Sequence, residues 1–371
     1  MPGLFIQRQA EALAATNHVV VLYAHPDPDC PSEFEIDYSE ENRVITIRVY
    51  FKIPDIVLPG IYQAMNLINF YRAHMRGLEI VGDFVPDIIH SHILTREAFI
   101  GHRLSRRYRV PHVISEHWSR YFPENGSYKG WGRKMLTRYL VGKADAVIAV
   151  SAVLKQAMIS SHLPNKHYFV VPNVVDTSKM DVISSGNAHP RKRFLHVSCF
   201  DDRAKNISGF LHAISDLSQR RSDFHGSLVG EGPDLERMKK LAMELGLKEE
   251  VVSFTGLMGL EDLVTLYGSA DFTVLSSRYE TFGTVIIESL ACGTPVVATR
   301  VGIAPEVIND RNGMLIPTQN TPALVDAIDR MLDKSSSFDK NDIRKTIGDQ
   351  FTPEAVREKL LAIYSQIRGD V

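Results

Sequence analysis

Residues 271–299, DFTVLSSRYETFGTVIIESLACGTPVVAT, constrain the fold more tightly than any other stretch. Asp271 to Leu275 is an apolar run of strand length, Ser276 to Gly283 is polar and turn-like, and Thr284 to Cys292 has helical spacing that stops at Gly293, with Pro295 close behind. Strand, loop, helix, strand is the repeating unit of a parallel sheet. The start of such a helix leaves unpaired amides around Gly283, Thr284 and Val285, so an anion such as phosphate is held there by N–H groups and the helix dipole. Glu280, ahead of the helix, would repel that anion but can reach a neutral sugar hydroxyl. Glu288, two turns in, can accept from a ribose diol. The plainer reading of the same acids is a solvated loop carboxylate and a helix-face charge, and spacing alone does not choose between them.

The same alternation runs along the whole chain. Strand-like runs at His18–Tyr23, Arg43–Tyr50, Asp87–His90, His112–Ser115, Ala146–Val150 and His167–Val171 are interleaved with helical spacing at Phe5–Ala15, Ile61–Arg76, Leu94–Arg107 and Ala152–Ile159, the last capped by Ser151. A polar stretch with Ser184, Ser185, Gly186 and Pro190 interrupts the pattern. It restarts with strands Phe194–Cys199, Gly226–Val229 and Val251–Thr255 around helices Ile207–Gln219 and Pro233–Leu245, and ends in an amphipathic helix from Thr352. A chain of 371 residues is long enough for two such domains, with a cleft between them as the default site. Two strand ends, His90-Ser91-His92 and Glu116-His117-Trp118, are polar, and an open sheet presents its ligands there. For His90 and His92 the plainer role is satisfying the strand end.

Composition narrows the function. A net charge of -2 argues against a dedicated nucleic-acid binder. The three cysteines, Cys30, Cys199 and Cys292, are scattered without metal spacing, which fits a reducing cytoplasm. No run approaches the roughly 18 apolar residues of a membrane span. Residues 1–175 hold 19 Lys and Arg against 16 acids. Their clusters, Arg103, Arg106, Arg107 and Arg109, then Arg133, Lys134, Arg138 and Lys143, fit solvated helix faces or a peripheral contact with anionic lipid. The His25-Pro26-Asp27-Pro28-Asp29 segment, with two prolines beside its acids, reads as an extended surface loop rather than a metal site.

The segment SRYETFGTVIIESLACGTPVVAT resembles the glutamate-x7-glutamate signature of the retaining glycosyltransferases of family 4, and nearly the whole chain is similar to that family. The resemblance implies an α/β GT-B architecture: two Rossmann-like, doubly wound domains facing a cleft. It divides the chain into an acceptor-side domain at 1–173, a nucleotide-sugar domain at 174–351 and a terminal helix at 352–371 that packs back on the first domain. It further implies that Glu280 contacts the donor sugar, Glu288 the ribose, and the amides of Thr281, Phe282, Gly283, Thr284 and Val285 the diphosphate. Thr281 stands where many members have Gly. Lys205 matches the lysine that neutralises the diphosphate; Cys199 occupies the usual arginine position, leaving Arg203 as a substitute. Gly230 and Gly256 match backbone positions of the donor site. On the acceptor side the resemblance points to Gly3, His92, Glu116 and His117, with His117 near the reacting carbon and Glu116 alternatively orienting its loop. Glu280, His117 and Lys205 are the expected catalytic residues.

The implied activity is retaining transfer of a sugar from a nucleotide diphosphate sugar to a glycan or lipid-linked acceptor, with no cofactor and no metal, in the cytoplasm or against the inner face of the membrane. An epimerase of the same architecture and an inactive sugar-nucleotide-binding fragment are the alternatives. Against the family pattern, Met1-Pro2-Gly3-Leu4-Phe5 lies in the loop after a first strand. That strand is therefore expected to be missing, leaving the strands at 18–23 and 87–90 without their shared neighbour, unless these two pair directly.

Overall fold

The computed structural model describes residues 3–52, 59–180 and 191–369; the expected linker residues Ser184, Ser185, Gly186 and Pro190 lie outside them. In chain order the strands are β1 (Val19–Asp27), β2 (Phe34–Glu41), β3 (Val44–Lys52), β4 (Ile89–His92), β5 (His112–Glu116), β6 (Ala146–Ala149), β7 (Tyr168–Val170), β8 (Lys192–Val197), β9 (Phe224–Val229), β10 (Val252–Gly256), β11 (Phe272–Leu275), β12 (Val296–Thr299) and β13 (Gly313–Ile316).

The second half is a parallel sheet in the order β10-β9-β8-β11-β12-β13. Its order reverses between β8 and β11, and a doubly wound sheet opens its ligand crevice at the carboxyl ends of the two strands flanking that reversal. The loops leaving β8 and β11 carry Lys205 and Glu280. Both faces are covered: Phe194, Phe210, Phe224 and Phe272 fill one side, and Ile286, Ile287 and Leu290 of the helix Thr284–Ala291 fill the other. Strands buried on both faces read as continuous apolar runs, which is why β11 and β12 stand out in the sequence.

The first half contains two sheets. One is the parallel set β4-β5-β6-β7; the other is β1-β3-β2, in which β1 and β3 run parallel and β2 joins β3 as a hairpin. No backbone ladder joins β1 to β4 among the described residues, so direct pairing between them does not occur. The hairpin corrects the sequence reading in two places. Strand β2 was not expected: FEIDYSEE alternates Phe34, Ile36 and Tyr38 with polar residues, but it is largely exposed. Its register is set by Asn42 and Arg43, both at positive φ (50° and 65°), the two-residue turn that matches strand twist. His25, Pro26 and Asp27, read as surface loop, extend β1 beside Tyr50, Phe51 and Lys52. Asp27 Oδ1 then accepts from the amide of Asp29 at 2.9 Å, closing a turn.

The helix Pro353–Arg368 buries Val356, Leu360 and Ile363 against Val113, Ala146 and Ile148 of the first domain. Arg368 meets Asp87 at 3.1 Å, and the Val175 amide donates to the Phe351 carbonyl at 2.9 Å. The chain thus crosses between its halves twice, at 175 and at 351, on one edge of the cleft.

Candidate active site

The cleft between the two halves is a cavity of about 370 Å³. His117, Trp118, Arg120, Asn125 and Ser127 line it from the first domain, and Cys199, Lys205, Tyr279, Glu280 and Thr281 from the second. Four of the expected residues, His117, Lys205, Glu280 and Thr281, therefore face one volume although they come from distant parts of the chain.

On the second domain the loops after β8 and β11 are tied together. Ser276 Oγ donates to the Lys205 carbonyl at 3.0 Å, and the Arg278 amide donates to the Ala204 carbonyl at 2.7 Å. This holds the Lys205 ammonium on the Glu280 carboxylate, with side chains only 16% and 11% exposed. Ser277 Oγ donates to the same Glu280 oxygen at 3.0 Å. Burial pulls the Lys205 ammonium down, but the Glu280 charge and hydrogen bond, with Cys199 and Asp201, outweigh it and leave the lysine above its ordinary value. The pair is thus a charged lip on the cleft.

Gly283 caps the helix Thr284–Ala291 at φ 90°, a conformation costly for any side chain. The first amides of that helix have no intrahelical acceptor. Phe282 contributes only its backbone here: its ring is buried 6.0 Å from Phe351, and its carbonyl accepts from Ile303. Glu288, one face further on, is buried and accepts from the Tyr267 hydroxyl at 3.2 Å. Burial raises its carboxyl, opposed by the Tyr267 hydrogen bond and the Arg8 charge reaching over from the first domain. Gly230 (φ 132°) lies where any side chain would strike the Ser198 carbonyl; its amide donates to the Gly256 carbonyl at 2.9 Å. These two glycines bring the loops after β9 and β10 together beside the loop after β8.

The Arg203 guanidinium donates to the carbonyl of Asn125, which lines the cavity from the other side of the cleft. Other contacts join the two lips, with Ser151 Oγ donating to the Thr281 carbonyl at 2.6 Å and the Ala152 amide to Glu306 Oε1 at 2.9 Å.

On the first domain, Glu116 is corrected. Its carboxylate is fully buried and does not face the cavity. Oε1 accepts from the amides of His117 (2.7 Å) and Trp118 (2.8 Å), and Oε2 from the Leu94 amide (3.0 Å) and the Tyr121 hydroxyl (2.9 Å). With four donors already bound it shapes the strand-end loop that aims His117, the alternative role, rather than meeting an acceptor. His92 lies behind His117, its Nδ1 3.1 Å from His117 Nε2. His90 stacks on His92 with ring centroids 4.4 Å apart and spans Tyr364 of the terminal helix (2.6 Å) and Ser115 (2.7 Å). Burial lowers all three imidazoles, His92 to about 4, with His92 adding to the effect on His90 and His117. Phe5 covers the outer face of His117 at 4.5 Å. Gly3 caps that first helix at φ 94°.

Arg120, Asn125, Ser127 and Tyr279 line the cavity without having been expected. Arg120 stands 3.7 Å over the Trp118 ring, and burial lowers its guanidinium. The available signal was the polar and aromatic segment immediately after Glu116-His117-Trp118.

Comparison with known proteins agrees with this architecture. The family described as "Glycosyltransferase Family 4" matches residues 3–179, and "Glycosyl transferases group 1" matches residues 181–347. An uncharacterized glycosyltransferase of Methanocaldococcus jannaschii is 26% identical over 283 residues, covering 76% of this chain and 73% of the relative. Sucrose-phosphate synthase from Thermosynechococcus elongatus superimposes with a TM-score of 0.82 at 23% identity, covering 100% of this chain and 94% of that one. Anabaena HepE, in complex with UDP and glucose, superimposes at 0.70 with 19% identity over 94% of this chain and 100% of its own. The two facing domains are therefore a GT-B fold, and the chain is a group 1 glycosyltransferase. It belongs to glycosyltransferase family 4.

Proposed function

We propose that this enzyme transfers a sugar, with retention at the anomeric carbon, from a nucleotide diphosphate sugar to a hydroxyl of a glycan or lipid-linked saccharide. The observation that carries the reading is the Lys205 and Glu280 pair at the switch point of the second sheet, lining one cavity with His117. The donor's sugar meets Glu280. Its diphosphate meets Lys205 and the amides from Thr281 to Val285, and its ribose meets Glu288. Negative charge that grows on the leaving diphosphate is stabilised by a fixed ammonium and preoriented amides, the largest electrostatic demand of the reaction. These supply the positive charge, so no metal is required and activity survives a chelator.

Retention with one carboxylate beside the sugar fits attack on the leaving-group face, with the diphosphate taking the acceptor proton. Glu116, saturated by four donors, is poorly placed to act as a nucleophile on the opposite face. The three scattered cysteines, two of them buried, fit work in the cytoplasm, and among the described residues no helix is long and apolar enough to cross a membrane. The acceptor is met there or at the inner membrane face.

Glu280→Gln tests the assignment. Turnover should fall with nucleoside diphosphate affinity nearly intact, because that ligand has no sugar for Glu280 to hold. A collapse of diphosphate affinity with normal turnover would exchange the roles of the two glutamates. Consumption of donor into an isomer without acceptor would replace transfer by epimerisation.

A further inference from the structure

The helix Trp131–Lys143 carries its large apolar side chains on the wrong side for a soluble surface. Only Thr137, Leu140 and Val141 are buried. Trp131, Met135 and Tyr139, spaced four apart and so aligned along the opposite face, are 81%, 53% and 51% exposed, and Leu136 beside them is 39% exposed. Lys134 and Arg138 run along one border of this stripe and Lys143 along the other. The neighbouring helix Arg96–Tyr108 extends the surface: the Tyr139 ring meets His102 edge-on at 5.6 Å, and beyond it lie exposed Phe99 with Arg103, Arg106 and Arg107. The two helices hold eight Lys and Arg and one acid, Glu97, which is half-buried.

We infer that this face docks on an anionic lipid bilayer. An aromatic and aliphatic stripe between basic borders is the pattern of a helix lying in the interface plane, with Trp and Tyr at the headgroup level and Lys and Arg on lipid phosphates. A duplex-binding surface needs the cations without the apolar centre, and the net charge of -2 argues against a dedicated nucleic-acid binder. The face also adjoins the cleft, because Asn125 and Ser127 line the cavity just ahead of the helix and Arg133 Nη1 donates to the Ser127 carbonyl at 3.2 Å. Docking therefore holds the cleft mouth beside the headgroup layer. This deepens the reading above by selecting an acceptor anchored in lipid, and in that respect rests on it.

The test is cosedimentation of the full chain with vesicles of phosphatidylcholine alone or with about 30 mol% phosphatidylglycerol, alongside titration with UDP, GDP and ADP. The wild type should bind the anionic vesicles at least about tenfold more tightly than the neutral ones and lose this preference at high salt. Trp131→Ala with Tyr139→Ala, and separately Lys134→Glu with Arg138→Glu, should each lower binding about tenfold or more while nucleotide affinity stays at the wild-type value. These exposed substitutions leave the core untouched, and an unchanged Tm confirms it. Wild type that stays in the supernatant, binds both vesicles equally, or is matched by both double variants would overturn the inference. Failure of every nucleotide to bind would instead overturn the donor-site reading and leave the vesicle result to stand.

Discussion

Replacing Lys205 by Met should destabilise the second domain and weaken nucleoside diphosphate binding together, because one ammonium serves both. With its partner gone, the Glu280 carboxylate keeps Ser277 Oγ as its hydrogen bond in a site where it is only 11% exposed. Breaking a fully buried pair by removing one member costs about 3–5 kcal/mol, whereas exposed pairs contribute less than about 1 kcal/mol. The exposures place this pair nearer the buried limit, so a loss of about 2–4 kcal/mol is expected. Glu280→Gln should cost less, because the amide oxygen still accepts from the lysine. In the double variant no charge remains, and the coupling should be about 1.5–3 kcal/mol. Urea unfolding, monitored by fluorescence, gives the three values. Calorimetry with UDP, GDP and ADP should show the Lys205→Met variant losing about 1.5–3 kcal/mol with the nucleotide that binds, the value of a hydrogen bond to a charged group. Additivity of the two substitutions within about 0.5 kcal/mol would refute the coupling. Undiminished nucleotide affinity in Lys205→Met would remove the lysine from the diphosphate site.

Glu288→Ala should lower nucleoside diphosphate affinity by about 1.5–3 kcal/mol through loss of a buried charged acceptor; an unchanged titration would reject its ribose role. Glu116→Gln should destabilise the first domain by about 2–3 kcal/mol, since an NH2 group then faces donors now held by carboxylate oxygens, and a loss below about 0.5 kcal/mol would contradict that geometry. The first domain should also be acid-labile. His92 titrates near 4 in the fold, so below the ordinary histidine value the unfolded chain takes a proton that the folded chain refuses. The stabilisation is complete above about pH 6.5 and falls toward pH 4, by up to about 3 kcal/mol. A urea midpoint that stays flat across that range would refute the buried, neutral stack. Turnover should persist in excess EDTA, and complete loss restored by manganese would revive a metal role for Asp27 and Asp29.

Elements buried on both faces were legible from the chain alone. Strand β11, the helix Thr284–Ala291 and β12 are predominantly apolar and punctuated by Gly283, Gly293 and Pro295, and β11 and the helix fall within a residue of the expected bounds. The Ser151 cap was equally readable, since its hydroxyl and the amide it accepts from lie three residues apart. The exposed hairpin strand β2 was less so: its alternating Phe34, Ile36 and Tyr38 bury little, and its pairing is fixed by a turn and a partner strand.

Local sequence determined that the chain alternates strand and helix, where the amide-bearing helix begins, and which two glutamates flank it. Which groups share a cavity was decided by the tertiary structure. Glu116 and His117 are adjacent in sequence, yet one is locked beneath the loop by four donors while the other faces the cleft. Arg203 and Lys205 are two positions apart, yet one crosses to Asn125 and the other holds Glu280. A side chain's direction follows from backbone geometry and the partners that reach it, and those partners lie as many as 274 residues away along the chain, as Tyr364 does from His90.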